Sequence, residues 1–190
     1  MNSLTLLAIA VVVVVFWIYS IYTSVIRKRN KAQEAFSSID VQLKKRYDLI
    51  PNILTIAQKY MEHERGIMEE VTKLRTQVMG LSSNFENIDR KIALDGEIAK
   101  KMGQIMVAVE NYPQLKADQT MITAMQTYNE VEEHIAAARR FYNSAANELK
   151  NAVEIFPSSL FARMLNIKTV DFIKATEQER QPIKASDFFK

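Results

Sequence analysis

Residues Thr5 to Ile26 read TLLAIAVVVVVFWIYSIYTSVI, with no Asp, Glu, Lys or Arg among them. About twenty such residues, wound as a helix, cross the roughly 30 Å hydrocarbon layer of a bilayer. Arg27, Lys28, Arg29 and Lys31 follow at once, and no basic side chain precedes the run. An excess of positive charge marks the cytoplasmic flank of a span. The expected topology therefore puts residues 1–3 outside, a transmembrane helix over 4–26, and everything from 27 onward in the cytoplasm. A cleaved signal peptide needs a basic start, a shorter apolar stretch and small residues at its end. Here the start is Met-Asn-Ser, and Trp17, Ile18, Tyr19 and Tyr22 crowd the end. Phe16, Trp17, Tyr19 and Tyr22 instead suit an interfacial aromatic belt.

Downstream, apolar residues recur at three- and four-residue steps, which is helical rather than strand periodicity. The first stripe is Phe36, Ile39, Leu43, Tyr47, Ile50, Leu54, Ala57, Met61, Met68, Val71 and Val78. It keeps phase across Pro51, so one helix bent at that proline is expected rather than two. Gly80 is placed to end it in the left-handed conformation, and Ser83 with Glu86 has capping-box spacing. A second stripe runs over Phe85, Ile88, Ile92, Met102, Ile105, Val109 and Tyr112. Gly96, Ala99 and Gly103 near one of its faces would let a neighbouring backbone come close. The third stripe holds Ile122, Met125, Tyr128, Val131, Ile135, Ala138, Tyr142, Ala145, Leu149, Val153 and Phe156, and Pro157 stops it. Ser158 to Leu165 is patterned as a short amphipathic helix.

With 4 Gly and 4 Pro the chain is too poor in turn residues for a sandwich or barrel. It has no Cys, which removes disulfides, thiolate metal sites and cysteine nucleophiles. The formal charge of +3 sets 25 basic against 22 acidic side chains, too even a balance to imply nucleic acid. The expected fold is all-α. The transmembrane helix continues into a long antiparallel helical bundle over 27–165, built of three long helices and a short C-terminal one. A tail over 166–190 packs on the bundle or is partly disordered.

The stretch Ile39-Asp40-Val41-Gln42-Leu43-Lys44-Lys45-Arg46-Tyr47-Asp48-Leu49-Ile50-Pro51-Asn52 resembles the signature of the LemA family. Ile135-Ala136-Ala137-Ala138-Arg139-Arg140-Phe141-Tyr142-Asn143, followed by Phe156-Pro157, resembles its second block. Tyr112-Pro113-Gln114-Leu115-Lys116-Ala117, Pro182 and Phe188 also fit, although Gln114 stands where the family commonly has aspartate. The resemblance implies a bacterial inner-membrane protein with a cytoplasmic helical bundle and no established enzymatic activity. Some relatives are tied to the organisation of intracellular membranes, which implies a scaffold.

Within the two blocks the structural candidates are Arg46, Asp48, Pro51, Asn52, Arg139, Arg140, Tyr142, Asn143 and Pro157. A proline inside a helix leaves a carbonyl without its donor, and the Asn52 amide is one group able to serve it. Asp48 is expected to pair with Arg139 or Arg140 and fix helix register. The lipid-headgroup candidates are Arg27, Lys28, Arg29 and Lys31, each worth about 1 kcal/mol near an anionic surface. Lys44-Lys45-Arg46 forms a second basic cluster. Ser158 to Leu165 could dock on a bilayer or on the bundle's end, and the bundle is the favoured reading.

His63 and His134 are the only histidines, each with acids nearby. Di-iron bundles use Glu-x-x-His, whereas Glu130 and His134 are four apart with Val131 in the critical position. The main reading is therefore a non-enzymatic scaffold or interaction protein, without cofactor or metal. Its expected partners are the bilayer, further copies of itself and an unidentified protein. A metal-dependent enzyme or regulator using the histidines and bundle carboxylates is the alternative.

Overall fold

The structure, a computed structural model, describes residues 2–82 and 84–174, without the side chain of Glu86. Helix is the only regular structure among the described residues. In order these are α1 (Ser3–Ala57), α2 (Arg65–Met79), a 3-10 turn (Phe85–Asn87), α3 (Ile88–Val109), α4 (Pro113–Lys116), α5 (Gln119–Glu154) and α6 (Ser158–Met164). The expectation of three long helices is thus corrected. The first stripe is shared between two helices, and a single turn, α4, precedes the third.

Helix α1 runs through Pro51 without a break. The proline has no N–H, so the Tyr47 carbonyl one turn back loses its helical donor. Arg75 Nε supplies the bond instead, donating to Tyr47 O at 2.6 Å. Asn52, expected in that role, is exposed. Apolar burial flanks the proline on both sides, since Ile50, Ile53 and Ala57 have no exposed surface.

The break comes six residues later, after Ala57. The amides of Tyr60 and Met61 both turn back onto the Ala57 carbonyl, at 3.0 and 2.9 Å, and the chain reverses before Arg65. Neither Gly nor Pro marks that turn. Met61 and Met68 are seven residues apart and both buried, so the stripe stays in phase across a gap where the helix does not. Gly80 is also corrected: it follows α2 in right-handed conformation (φ −75°), its N–H donating to Thr76 O. The Ser83–Glu86 capping box falls outside the described residues, and the Asn84 side chain accepts from Asn87 N–H at 3.1 Å. Asp118 caps α5, its carboxylate accepting from the amides of Thr120 and Met121 at 2.8 and 3.1 Å.

The left-handed cap lies at Asn166 instead (φ 51°). Beyond α6, Asn166 N–H donates to Arg163 O and Ile167 N–H to Ala162 O, at 3.1 and 2.9 Å. This nested pair is the Schellman motif, in which Asn is the usual substitute for Gly.

The chain forms two compact units, Met1–Arg46 with Tyr128–Phe172, and Tyr47–Thr127 with the residues from Ile173. In the first, Val25 of α1, Ala152 of α5 and Ala162 of α6 form one buried cluster with Val153, Phe161 and Ile167 against it. Lys31 of α1 bonds Glu148 of α5 at 2.8 Å, and Arg46 of α1 bonds Glu132 of α5. Along α5, Tyr128, Val131, Ile135, Ala138, Tyr142, Ala145 and Leu149 are buried as the stripe predicts. Phe156, the last member of that stripe, is 77% exposed. Helix α5 ends at Glu154, before Pro157, so Phe156 no longer follows its face.

In the second unit α2 packs on α3, with Met68, Val71 and Val78 buried on one and Ile88, Ile98, Met102, Ile105 and Val109 on the other. Lys101 and Glu70 join the same two helices. Among the described residues nothing lies within 4 Å of where a Cβ on Gly103 would stand, so none of them uses its small size, where the sequence reading expected a neighbouring backbone. Gly103→Ala should therefore stabilise the protein by about 0.5–1 kcal/mol, the helix-interior cost of glycine. A raised midpoint in chemical unfolding would show it.

The Tyr112 hydroxyl donates to Glu64 at 3.0 Å. The neighbouring carboxylate disfavours loss of the phenolic proton, raising its pKa from the ordinary 10.0. A group whose pKa rises on folding stabilises the native state below its unfolded value. That contribution is lost as pH climbs through the folded one. The stability difference between wild type and Tyr112→Phe should be constant up to about pH 10 and shrink above it. A pH-independent difference would show that the bond contributes nothing.

Candidate functional site

Ser20, Thr23, Ser24, Arg27, Lys28 and Lys31 stand at i, i+3, i+4, i+7, i+8 and i+11, which places them on one side of α1. They line a cleft of about 370 Å³, with Glu148 of α5 opposite. Glu148 neutralises Lys31 at 2.8 Å, so the positive charge of the cleft rests on Arg27 and Lys28. Three hydroxyls beside two such cations suit a phosphate-bearing group. Of the four basic candidates, then, three share this cleft. Arg29 is exposed and does not line it. The sequence reading missed the hydroxyls, although their spacing continues that of the basic residues. Glu148 lies more than a hundred positions away and carried no signal.

Immediately N-terminal, α1 is uncovered. Every residue from Asn2 to Ser20 is exposed. Leu7, Val12, Phe16 and Trp17 are among them. It is one helix long and apolar enough to cross a membrane, and the apolar window is not buried at all. In water a continuous apolar surface of this kind is strongly unfavourable. A second cleft, of about 290 Å³, has Val15, Ile18, Tyr19 and Tyr22 on one wall and Phe161, Met164 and Leu165 on the other.

The residues of the two signature blocks differ in burial. The Arg46 guanidinium is buried at 1% exposure, bonded to Glu132 and lying 5.4 Å from the ring centroid of Tyr128. This removes Arg46 from the basic surface expected with Lys44 and Lys45, which are exposed. Asp48 is exposed and belongs to the second unit, whereas Arg139 and Arg140 belong to the first. Tyr142 is buried, and its hydroxyl donates to Asp171 O at 3.0 Å, tying down the segment after α6. Asn143 is half-buried beside it, and Pro157 sits in the short link between α5 and α6. His63 and His134 are exposed and fall in different units. No three His, Asp or Glu converge among the described residues.

These features define a class: an all-helical, membrane-associated protein with one apolar helix of bilayer-spanning length near its N-terminus. The LemA family profile matches residues 35–186. The chain belongs to the LemA family. It is 24% identical to Protein LemA of Metamycoplasma hominis over 163 residues, 85% of this chain and 72% of that protein. It is also similar to two magnetosome proteins, MamQ 2 of Paramagnetospirillum magneticum (21% identical) and MamQ of Magnetospirillum gryphiswaldense (20%). Each of those alignments covers 97% of this chain and 77% of the relative.

Proposed function

We propose that this chain is a non-enzymatic scaffold fixed in the bacterial inner membrane by α1, with its N-terminus out and the body from Arg27 onward in the cytoplasm. The observation that carries this reading is the wholly exposed apolar length of α1, followed at once by the basic cleft. Arg27 and Lys28 take up the phosphate of anionic lipids at the cytoplasmic leaflet. Residue numbers rise along α1 as they fall along α5 through the pairs Lys31–Glu148 and Arg46–Glu132. That order supports antiparallel packing of the two helices. Self-association and a role in organising membrane are supported by the similarity to the magnetosome relatives.

Native mass spectrometry of the full chain released from phosphatidylglycerol-containing membranes tests the lipid site and the oligomer together. Bound phosphatidylglycerol should fall sharply in Arg27→Gln/Lys28→Gln, two cations worth roughly 1 kcal/mol each, and masses of more than one copy should appear. Equal lipid retention would remove the headgroup site, and a monomer at every concentration would remove self-association. A reporter fused after Lys190 and active only outside the cytoplasm would reverse the orientation.

A further inference from the structure

We propose that α6, with Ile155 and Phe156 ahead of it, is a second lipid contact, lying in the boundary between headgroups and acyl chains beside α1. The inference rests on the spanning reading of α1. Phe156, Leu160 and Met164 recur at four-residue steps, and all are exposed, Met164 at 76%. Elsewhere beyond the span, the exposed large apolar side chains among the described residues are Val41, Met79, Val107, Phe141 and Phe172, scattered singly. Scattered apolar residues need no explanation, whereas a contiguous patch marks an interaction surface.

What covers the patch follows from where it is fixed. Ala162 on the other side of α6 is buried against Val25 and Ala152, and the Asn166 cap closes the helix over it. Helix α6 is therefore held against α1 with its apolar residues outward. Phe161, Met164 and Leu165 share their cleft with Val15, Ile18, Tyr19 and Tyr22, which are part of the run that needs hydrocarbon. The two apolar surfaces are continuous, so the medium that covers one covers the other. From Tyr22 to Val15 a helix rises about 10 Å, the depth to which interfacial helices bury their apolar faces. Between Ile155 and Val170 the chain carries no acid, while Arg163 and Lys168 are exposed. That positive charge is attracted to an anionic leaflet.

Because the chain has no cysteine, a nitroxide can be placed at one site at a time. The variants are Leu160→Cys, Met164→Cys, Val13→Cys in the span and Glu133→Cys on exposed α5. Each is reconstituted as the full chain in phosphatidylcholine–phosphatidylglycerol vesicles. Collision rates are read with oxygen, which concentrates in lipid, and with a water-soluble nickel chelate. The expected result is oxygen-dominated relaxation at the Leu160, Met164 and Val13 sites, and nickel-dominated relaxation at Glu133. Nickel access at Leu160 and Met164, with Val13 still in lipid, would overturn the α6 contact and leave the span intact. Protection from both reagents at those two sites would overturn it in favour of a protein interface. Nickel access at Val13 would bring down the span and the α6 contact together.

Discussion

Glu132→Gln should destabilise the full chain in detergent by about 3 kcal/mol, more than Arg46→Met does. Removing one partner from a buried ion pair typically costs 3–5 kcal/mol, because the remaining charge is stranded. Here the two partners are unequal: Arg46 is 1% exposed and the Glu132 side chain 52%. Loss of the glutamate removes the carboxylate bonded to a cation that lies almost wholly inside the protein. Loss of the arginine leaves a carboxylate that water already half surrounds, which is why the low end of the range is expected and why the order of the two variants matters. The Tyr128 ring still faces the guanidinium in Glu132→Gln, but a ring face returns only about 0.5–2 kcal/mol. Replacing both, as Arg46→Met/Glu132→Leu, should bring stability back towards wild type, since buried pairs exchange for packed apolar groups at little cost. Equilibrium unfolding followed by helical circular dichroism measures all three. Arg46→Met losing as much as Glu132→Gln would refute the asymmetry.

Arg75→Met should cost about 1.5–3 kcal/mol, the worth of a hydrogen bond with a charged partner, and that cost should fall in a Pro51→Ala background. Alanine at that position supplies the N–H that proline lacks, so the Tyr47 carbonyl regains its helical donor and no longer depends on Arg75. A double-mutant cycle with a coupling of about 1 kcal/mol or more is expected for groups sharing one acceptor. Additive losses would mean that Arg75 stabilises the protein by packing alone. The two positions are linked only through a backbone oxygen, which is why inspection of side-chain types could not pair them.

The helices were largely legible because periodic burial is a local property. Every member of the first apolar stripe, from Phe36 to Val78, is buried. The turn after Ala57 was hidden because it preserves the phase of that stripe, and because the residues that make it, Lys59 to Glu64, include no glycine or proline. Partnerships were the other blind spot. Proline predicts an orphaned carbonyl at Tyr47, but which donor comes to it depends on how α2 folds back, and Asn52 was merely the nearest amide in sequence. Arg46 follows two lysines, Lys44 and Lys45, and reads with them as part of a basic surface. Only its place on the same helical face as Leu43 and Ile39 separates it from them, and the three- and four-residue spacing does contain that information. The basic cleft was read in part: its cations are consecutive on α1, whereas Glu148 comes from the far end of α5.

The absence of any joint in α1 between Ser3 and Ala57 makes the helix a lever. At 1.5 Å per residue it rises about 80 Å, and its first portion is the part apolar enough to lie in hydrocarbon. A span longer or shorter than its bilayer responds by tilting, and no loop near Arg27 absorbs that tilt. Leaflets of different thickness would swing Arg46 and its neighbours through an arc, so on the proposed spanning reading bilayer thickness becomes a mechanical input to the part of the helix beyond the apolar run.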